Sequence, residues 1–222
     1  MTTISTKKNR LPRQVRNALE ARDLQEIKEL AWQYSEGTDS EGISIRRKDH
    51  KIAFLLFKAG AELGDPELTW STADALKYGL GVTKSLSEAE KYYRRAIRLG
   101  SMGATTSLGH LYWYKGTDKD RRKAITLYRR AARMDEEHAL HNIGVCYSTG
   151  VGLKKNLPLA FKYFLRAAGN GHLEAAFKVG RCYLYGKGIK ANLKKSLLWL
   201  GRAAECGHLE AKKLLSKLEK RG

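Results

Sequence analysis

His138 and His141 are the pair whose type and spacing come nearest to metal chemistry in this 222-residue chain. Three residues apart near the start of a helix, they share a face and could offer two imidazole nitrogens beside Asp135, Glu136 and Glu137. No constellation of cysteines or carboxylates at ligand spacing completes a tetrahedral set, so no metal is expected. Gly-x-Gly at 79–81, 150–152 and 186–188, with Lys154, Lys155, Lys187 and Lys190 close by, could cradle a phosphate. A phosphate loop needs Gly-Lys-Ser/Thr after a strand, and neither is present, so these glycines read as turns between helices. Cys146, Cys182 and Cys206 are an odd count without Cys-x-x-Cys spacing, which fits inert thiols rather than disulfides or zinc. No Ser/His/Asp or paired-carboxylate arrangement can be argued. The expectation is a protein that is not an enzyme and holds no cofactor.

The residues that do recur carry structure. Gly-His-Leu-Glu-Ala occurs at 171–175 and again at 207–211. A fixed period of this size marks stacked supersecondary units. In the same register the first glycine falls on Gly64, Gly100, Asp135, Gly171 and Gly207, followed four residues later by Leu68, Ala104, Ala139, Ala175 and Ala211. His172 and His208 are part of this repeat, so helix-start chemistry or packing between repeats explains them.

Each unit reads as two helices. Ala139, Ile143 and Tyr147 give the first its apolar face, and Ala160, Phe164, Ala167 and Ala168 the second. Gly-x-Gly between them supplies positive φ for a helix end and a tight turn. Caps for the second helices are expected at Asp49, Ser85, Asp120, Asn156 and Asn192, and Ser85 with Glu88 makes a capping box. Val15, Ala18 and Leu19 mark a short helix after Pro12. Ala211, Leu214, Leu215 and Leu218 mark a closing helix, with Lys212, Lys213, Lys217 and Lys220 toward water. The expected layout is a disordered basic tail at 1–11 and one solenoid domain at 12–222. Its units are 24–63, 64–99, 100–134, 135–170 and 171–206, with a capping helix at 207–220. The long connection from Thr38 to Lys48, and Lys115 where a turn glycine belongs, are departures from the pattern.

The stretch Ala-x-x-x-Ile-Gly-x-x-Tyr-x-x-Gly-x-Gly from Ala139 to Gly152, with Asn156, Ala160 and Ala167-Ala168, resembles the Sel-one-like repeat, a relative of the tetratricopeptide type. The resemblance covers about 24–211. It implies an all-α, right-handed superhelical solenoid whose first helices line a concave surface and which acts as an adaptor or scaffold. A bacterial immunity or effector-regulating protein is one form that role could take.

With the repeating positions packed between units, the opposite positions of the first helices face the groove. The candidate partner-binding residues are Trp32, Trp70, Asp74, His110, Trp113, His141, Asn142, Phe177, Lys178 and Arg181. Tryptophan is enriched at binding hot spots, which draws attention to Trp32, Trp70 and Trp113. The net charge of +19 is polarised. Residues 1–22 carry six basic side chains against one acid, residues 23–103 twelve against thirteen, and residues 139–222 sixteen against four. Such a field favours an acidic partner. The expected partner is therefore another protein or peptide segment, and the alternative is nucleic acid held by the basic ends. No apolar stretch reaches the length that spans a bilayer, and the basic N-terminus has no signal-like segment. A cytoplasmic location and a monomer are expected.

Overall fold

The computed structural model describes residues 11–37 and 48–219. Among them are twelve α-helices and no strand. They are α1 (Arg13–Ala21), α2 (Leu24–Glu36), α3 (His50–Glu62), α4 (Pro66–Tyr78), α5 (Leu86–Arg98) and α6 (Gly103–Lys115). The rest are α7 (Asp118–Ala132), α8 (Glu137–Thr149), α9 (Leu157–Gly169), α10 (Leu173–Tyr185), α11 (Leu193–Glu205) and α12 (Leu209–Glu219). Helices α2 to α11 form five consecutive pairs, with α1 before and α12 after, as an all-α repeat solenoid requires. The chain packs as two compact units, Met1–Leu111 and Tyr112–Gly222, and each is described by itself.

Caps and turns explain why the helices break where they do. Asp49, Ser85, Asn156 and Asn192 are extended residues whose side chains accept from backbone N–H groups of the first turn. Each is worth about 1 kcal/mol. The third cap is a correction. Thr117, not Asp120, caps α7, and Asp120 lies inside that helix, accepting from the Thr117 hydroxyl at 2.6 Å. The helix starts three residues early because Thr117 and Asp120 close a reciprocal box of their own. Gly116, at φ +78°, takes the turn role that Lys115 cannot.

The joints between pairs share one geometry. Gly64, Gly100, Asp135, Gly171 and Gly207 all lie at positive φ. The next residue donates back to the preceding helix at Gly60, Ala96, Ala131, Ala167 and Ala203 respectively. These are Schellman closures. In the Gly-x-Gly turns the second glycine serves close approach as well. A Cβ on Gly81 would collide with the His50 carbonyl, and one on Gly188 with the Leu157 carbonyl. Each turn is thus seated on the start of the second helix one repeat earlier.

Packing repeats with the same period. A Cβ on Gly144 of α8 would lie 2.6 Å from Phe164 of α9, and one on Gly180 of α10 would lie 2.8 Å from Leu200 of α11. Small residues on the first helix make the hole that a large residue of the second fills. In the N-terminal unit the buried core gathers Val15, Ala18, Ile27, Leu30, Leu56 and Leu68. Leu11, placed by the sequence in the disordered tail, packs against it. Residues 1–10 and 38–47, and Lys220, lie outside the described residues. In the C-terminal unit Leu214, Leu215 and Leu218 of α12 pack against the buried cluster that includes Phe177, Leu200 and Ala203, as a terminal helix should.

Candidate interaction surfaces

In the N-terminal unit, α2, α4 and the first turns of α6 carry Trp32, Trp70, Asp74 and His110. Their environments differ. Trp32 is 40% exposed, its ring edge-on to Phe57 at 5.6 Å. Trp70 is half-buried. Its Nε1 donates to the Ser107 hydroxyl at 3.0 Å, and its six-membered ring lies over Gly103, where a Cβ would come within 3.0 Å. The ring therefore holds one first helix to the next. Asp74 is half-buried and accepts from the Tyr93 hydroxyl of α5. Burial raises its carboxyl above the ordinary value against the opposing pull of that hydrogen bond. His110 is half-buried.

In the C-terminal unit, Trp113 is half-buried and tilted against Tyr128 of α7 at 6.4 Å. His141 is stacked on His172 at 4.4 Å with planes 9° apart, and it lies 5.7 Å from Phe164. Burial, with the His172 ring beside it, pulls His141 down to about 4. Asn142 is half-buried next to it. Phe177 is only 4% exposed and stacks on His208 at 4.5 Å. The expectation that Phe177 faces a partner is corrected: its ring is shared by α10 and α12 and belongs to the core.

The repeated pentapeptide turns out to supply caps. Nδ1 of His172 accepts from the Ala175 N–H at 3.1 Å, and Nδ1 of His208 from the Ala211 N–H at 3.2 Å. His208 Nε2 is left to donate to Glu174 at 2.8 Å, which ties one pentapeptide to the other. Burial would raise Glu174, but hydrogen bonds from His208 and Lys178 outweigh it and hold the carboxyl low. One joint earlier the partner position is His138, whose ring sits 5.0 Å from that of His172. Burial and His138 lower His172 as well. Glu136, Glu137 and His138 bring ligand atoms within 4.8 Å of one another. Glu136, however, spends its carboxylate capping α8 through the Ala139 N–H at 2.6 Å. That group reads as a helix start.

One open face lies on α8, α9 and α10. Lys178 pairs with Glu174 at 3.0 Å, while the Arg181 guanidinium lies 5.6 Å from the Phe177 ring. Together with Lys155 and Lys187 these cations border a cleft of about 370 Å³, with Val145, Leu157 and Phe164 beneath. Sequence reasoning found Lys178 and Arg181 but not their union with Lys155 and Lys187, which come from two different loops and do not repeat in register. Cys182 lines the same cleft, Cys146 is buried and Cys206 is exposed, all three as free thiols.

The Sel1 repeat family matches residues 30–65, 71–101, 104–136, 137–172 and 173–208. The chain belongs to the Sel1 repeat family. Among relatives, it is 34% identical over 122 residues to human protein sel-1 homolog 2, covering 54% of this chain and 18% of that one. It is 30% identical over 112 residues to the ERAD-associated E3 ubiquitin-protein ligase component HRD3 of Candida glabrata, covering 50% and 12%. The chain thus spans less than a fifth of the length of these relatives. Among solved structures, a Sel1 repeat protein from Oxalobacter formigenes has a TM-score of 0.78 at 30% identity, covering 89% of this chain and 79% of that one. An immunity protein from Pseudomonas aeruginosa has a TM-score of 0.59 at 20% identity over 86% and 71%, which shows the shared fold. Sel1 repeats are protein-interaction modules. No helix among the described residues is long and apolar enough to cross a membrane.

Proposed function

We propose that this chain is a non-catalytic adaptor that binds another protein through the exposed positions of its first helices. Five Sel1 repeats spanning residues 30–208 are the observation that carries the reading. The side chains support it. Asp74, His141, Phe177, His172 and His208 are each engaged in holding helices to one another. Trp32 in one unit, and Lys178 and Arg181 in the other, offer the groups a partner could use: an aromatic anchor and fixed positive charge. A basic chain with sixteen cations against four acids over residues 139–222 fits an acidic partner. A place in the cytoplasm, consistent with three free thiols, and an immunity or effector-regulating role belong to the same proposal.

The test is capture of partners from source cells with tagged wild type, Trp32→Ala and Lys178→Glu chains, after nuclease treatment and at two salt concentrations. A partner that wild type retains after nuclease treatment, and that either variant loses while still folded, supports the adaptor. Binding that disappears with nuclease and collapses steeply with salt would overturn it in favour of nucleic acid held by the basic segments.

A further inference from the structure

We infer that the cleft between α8, α9 and α10 receives a bulky apolar side chain flanked by carboxylates on a partner polypeptide. The inference rests on the adaptor reading and names the chemistry of one of its surfaces. The floor is apolar and the border is not. Val145 of α8 and Leu157 and Phe164 of α9 line the bottom, while Lys155, Lys178, Arg181 and Lys187 stand around the mouth, and no lining residue is acidic. Lys178 is offset by Glu174. Among the described residues no ion pair holds Lys155, Arg181 or Lys187.

Lys155, Arg181 and Lys187, gathered with Lys178 around one opening, repel each other, and these three have no acid to answer them. A ligand carrying carboxylates relieves that repulsion, and the Arg181 fork is suited to hold one through two N–H groups. The cations act on a common point. Burial pushes the Cys182 thiol up, and Lys187, Arg181 and Lys178 all pull it back. The volume of about 370 Å³ is at the small end of ligand sites, suited to one or two side chains rather than to a cofactor. Val145 and Leu157 offer no flat aromatic face for a base to stack on, and Phe164 is only 3% exposed, so a nucleic acid would gain charge contacts without the stacking that single strands use.

The probe is a fluorescently labelled hexapeptide with a central phenylalanine–leucine pair between two glutamates on each side. Its control has two serines in place of the apolar pair. Anisotropy with the full chain should show the apolar peptide binding roughly tenfold tighter than the serine control, because only it fills the floor. Arg181→Glu/Lys187→Glu should weaken it at least about tenfold with an unchanged circular dichroism spectrum. In a Cys206→Ser background the apolar peptide should also slow alkylation of Cys182. Equal binding of the two peptides, or equal binding to the charge-reversed variant, overturns the cleft assignment. So does displacement of the peptide by a single-stranded oligonucleotide that itself binds more tightly. A captured partner that Trp32→Ala loses and Arg181→Glu/Lys187→Glu keeps would overturn the cleft and leave the adaptor reading standing.

Discussion

Acid is expected to loosen the C-terminal unit at the stack of His141 on His172, in a pH window set by histidine rather than by carboxylates. His141 is held at about 4 in the folded chain, against 6.5 for the free side chain. The unfolded chain therefore binds more protons between those values, so stability is whole above about 6.5 and is lost as the pH falls toward 4. The gap is worth roughly 3 kcal/mol when fully expressed, and about 2 kcal/mol at pH 4.5 for a ring that is half-buried rather than enclosed. The groups facing the stack are His138 and Glu137 of α8, Lys178 and Glu174 of α10, and Glu136 at the cap. Glu174 is held below its ordinary value, so its contribution fades only below about pH 4.5, at the low end of the window, and it does so in wild type and in a His141 variant alike. Urea denaturation at pH 7.5, 6.5, 5.5 and 4.5 should show wild type losing about 2 kcal/mol more than His141→Phe, which keeps the stacked ring and removes the titration. With a slope near 3 kcal/mol per molar, that is roughly 0.7 M in midpoint. Hydrogen exchange should place the loss in α8 and α10, with α3 and α4 as the internal reference. If wild type and His141→Phe lose the same stability across the window, the stack is not the acid-labile element and the reasoning fails.

Two glycines at positive φ should separate strain from collision. Gly171→Ala meets nothing within 4 Å and should cost about 1 kcal/mol, whereas Gly188→Ala runs into the Leu157 carbonyl and should cost at least about 3 kcal/mol in thermal unfolding. Similar losses would show that the Gly-x-Gly turn is not seated on the neighbouring repeat. Tyr93→Phe strips Asp74 of its donor and should cost about 1–3 kcal/mol at pH 7.5, with a deficit that shrinks as the pH falls, because the carboxyl, already raised by burial, takes up a proton and no longer brings charge into the interior. A deficit independent of pH would argue that the hydroxyl serves packing alone. Asn156→Ala and Asn192→Ala should each cost about 1 kcal/mol and add within about 0.5 kcal/mol, as caps of separate helices must.

The helices and their joints were legible because each is specified by adjacent residues. An αL residue at Gly64, Gly100, Asp135, Gly171 and Gly207, then a cap, is local chemistry, and a period exposes it. The one misplaced cap, at Thr117, fell in the repeat whose turn glycine had moved by one residue to Gly116, so two valid caps competed within a single turn. The faces were harder to read. Periodicity tells which way a side chain points from its own helix but not whether the next helix covers it. Phe177 points along its face and meets His208, and Trp70 meets Ser107, each more than thirty residues away. The cleft was not legible at all, since Lys155, Arg181 and Lys187 come from different segments and share no register.

The joints also make the chain divisible. Everything needed to end one helix pair and begin the next is compressed into a few consecutive residues. These are an αL residue, an N–H returned to the previous helix and a side chain that caps the next. Excising residues 136–171 would join Asp135 directly to His172, and the splice would read Asp-His-Leu-Glu-Ala, a seam of the same grammar as the native ones. Repeat number can then change by whole units without composing a new turn, so the number of helix pairs is an adjustable quantity while the fold of each pair stays constant.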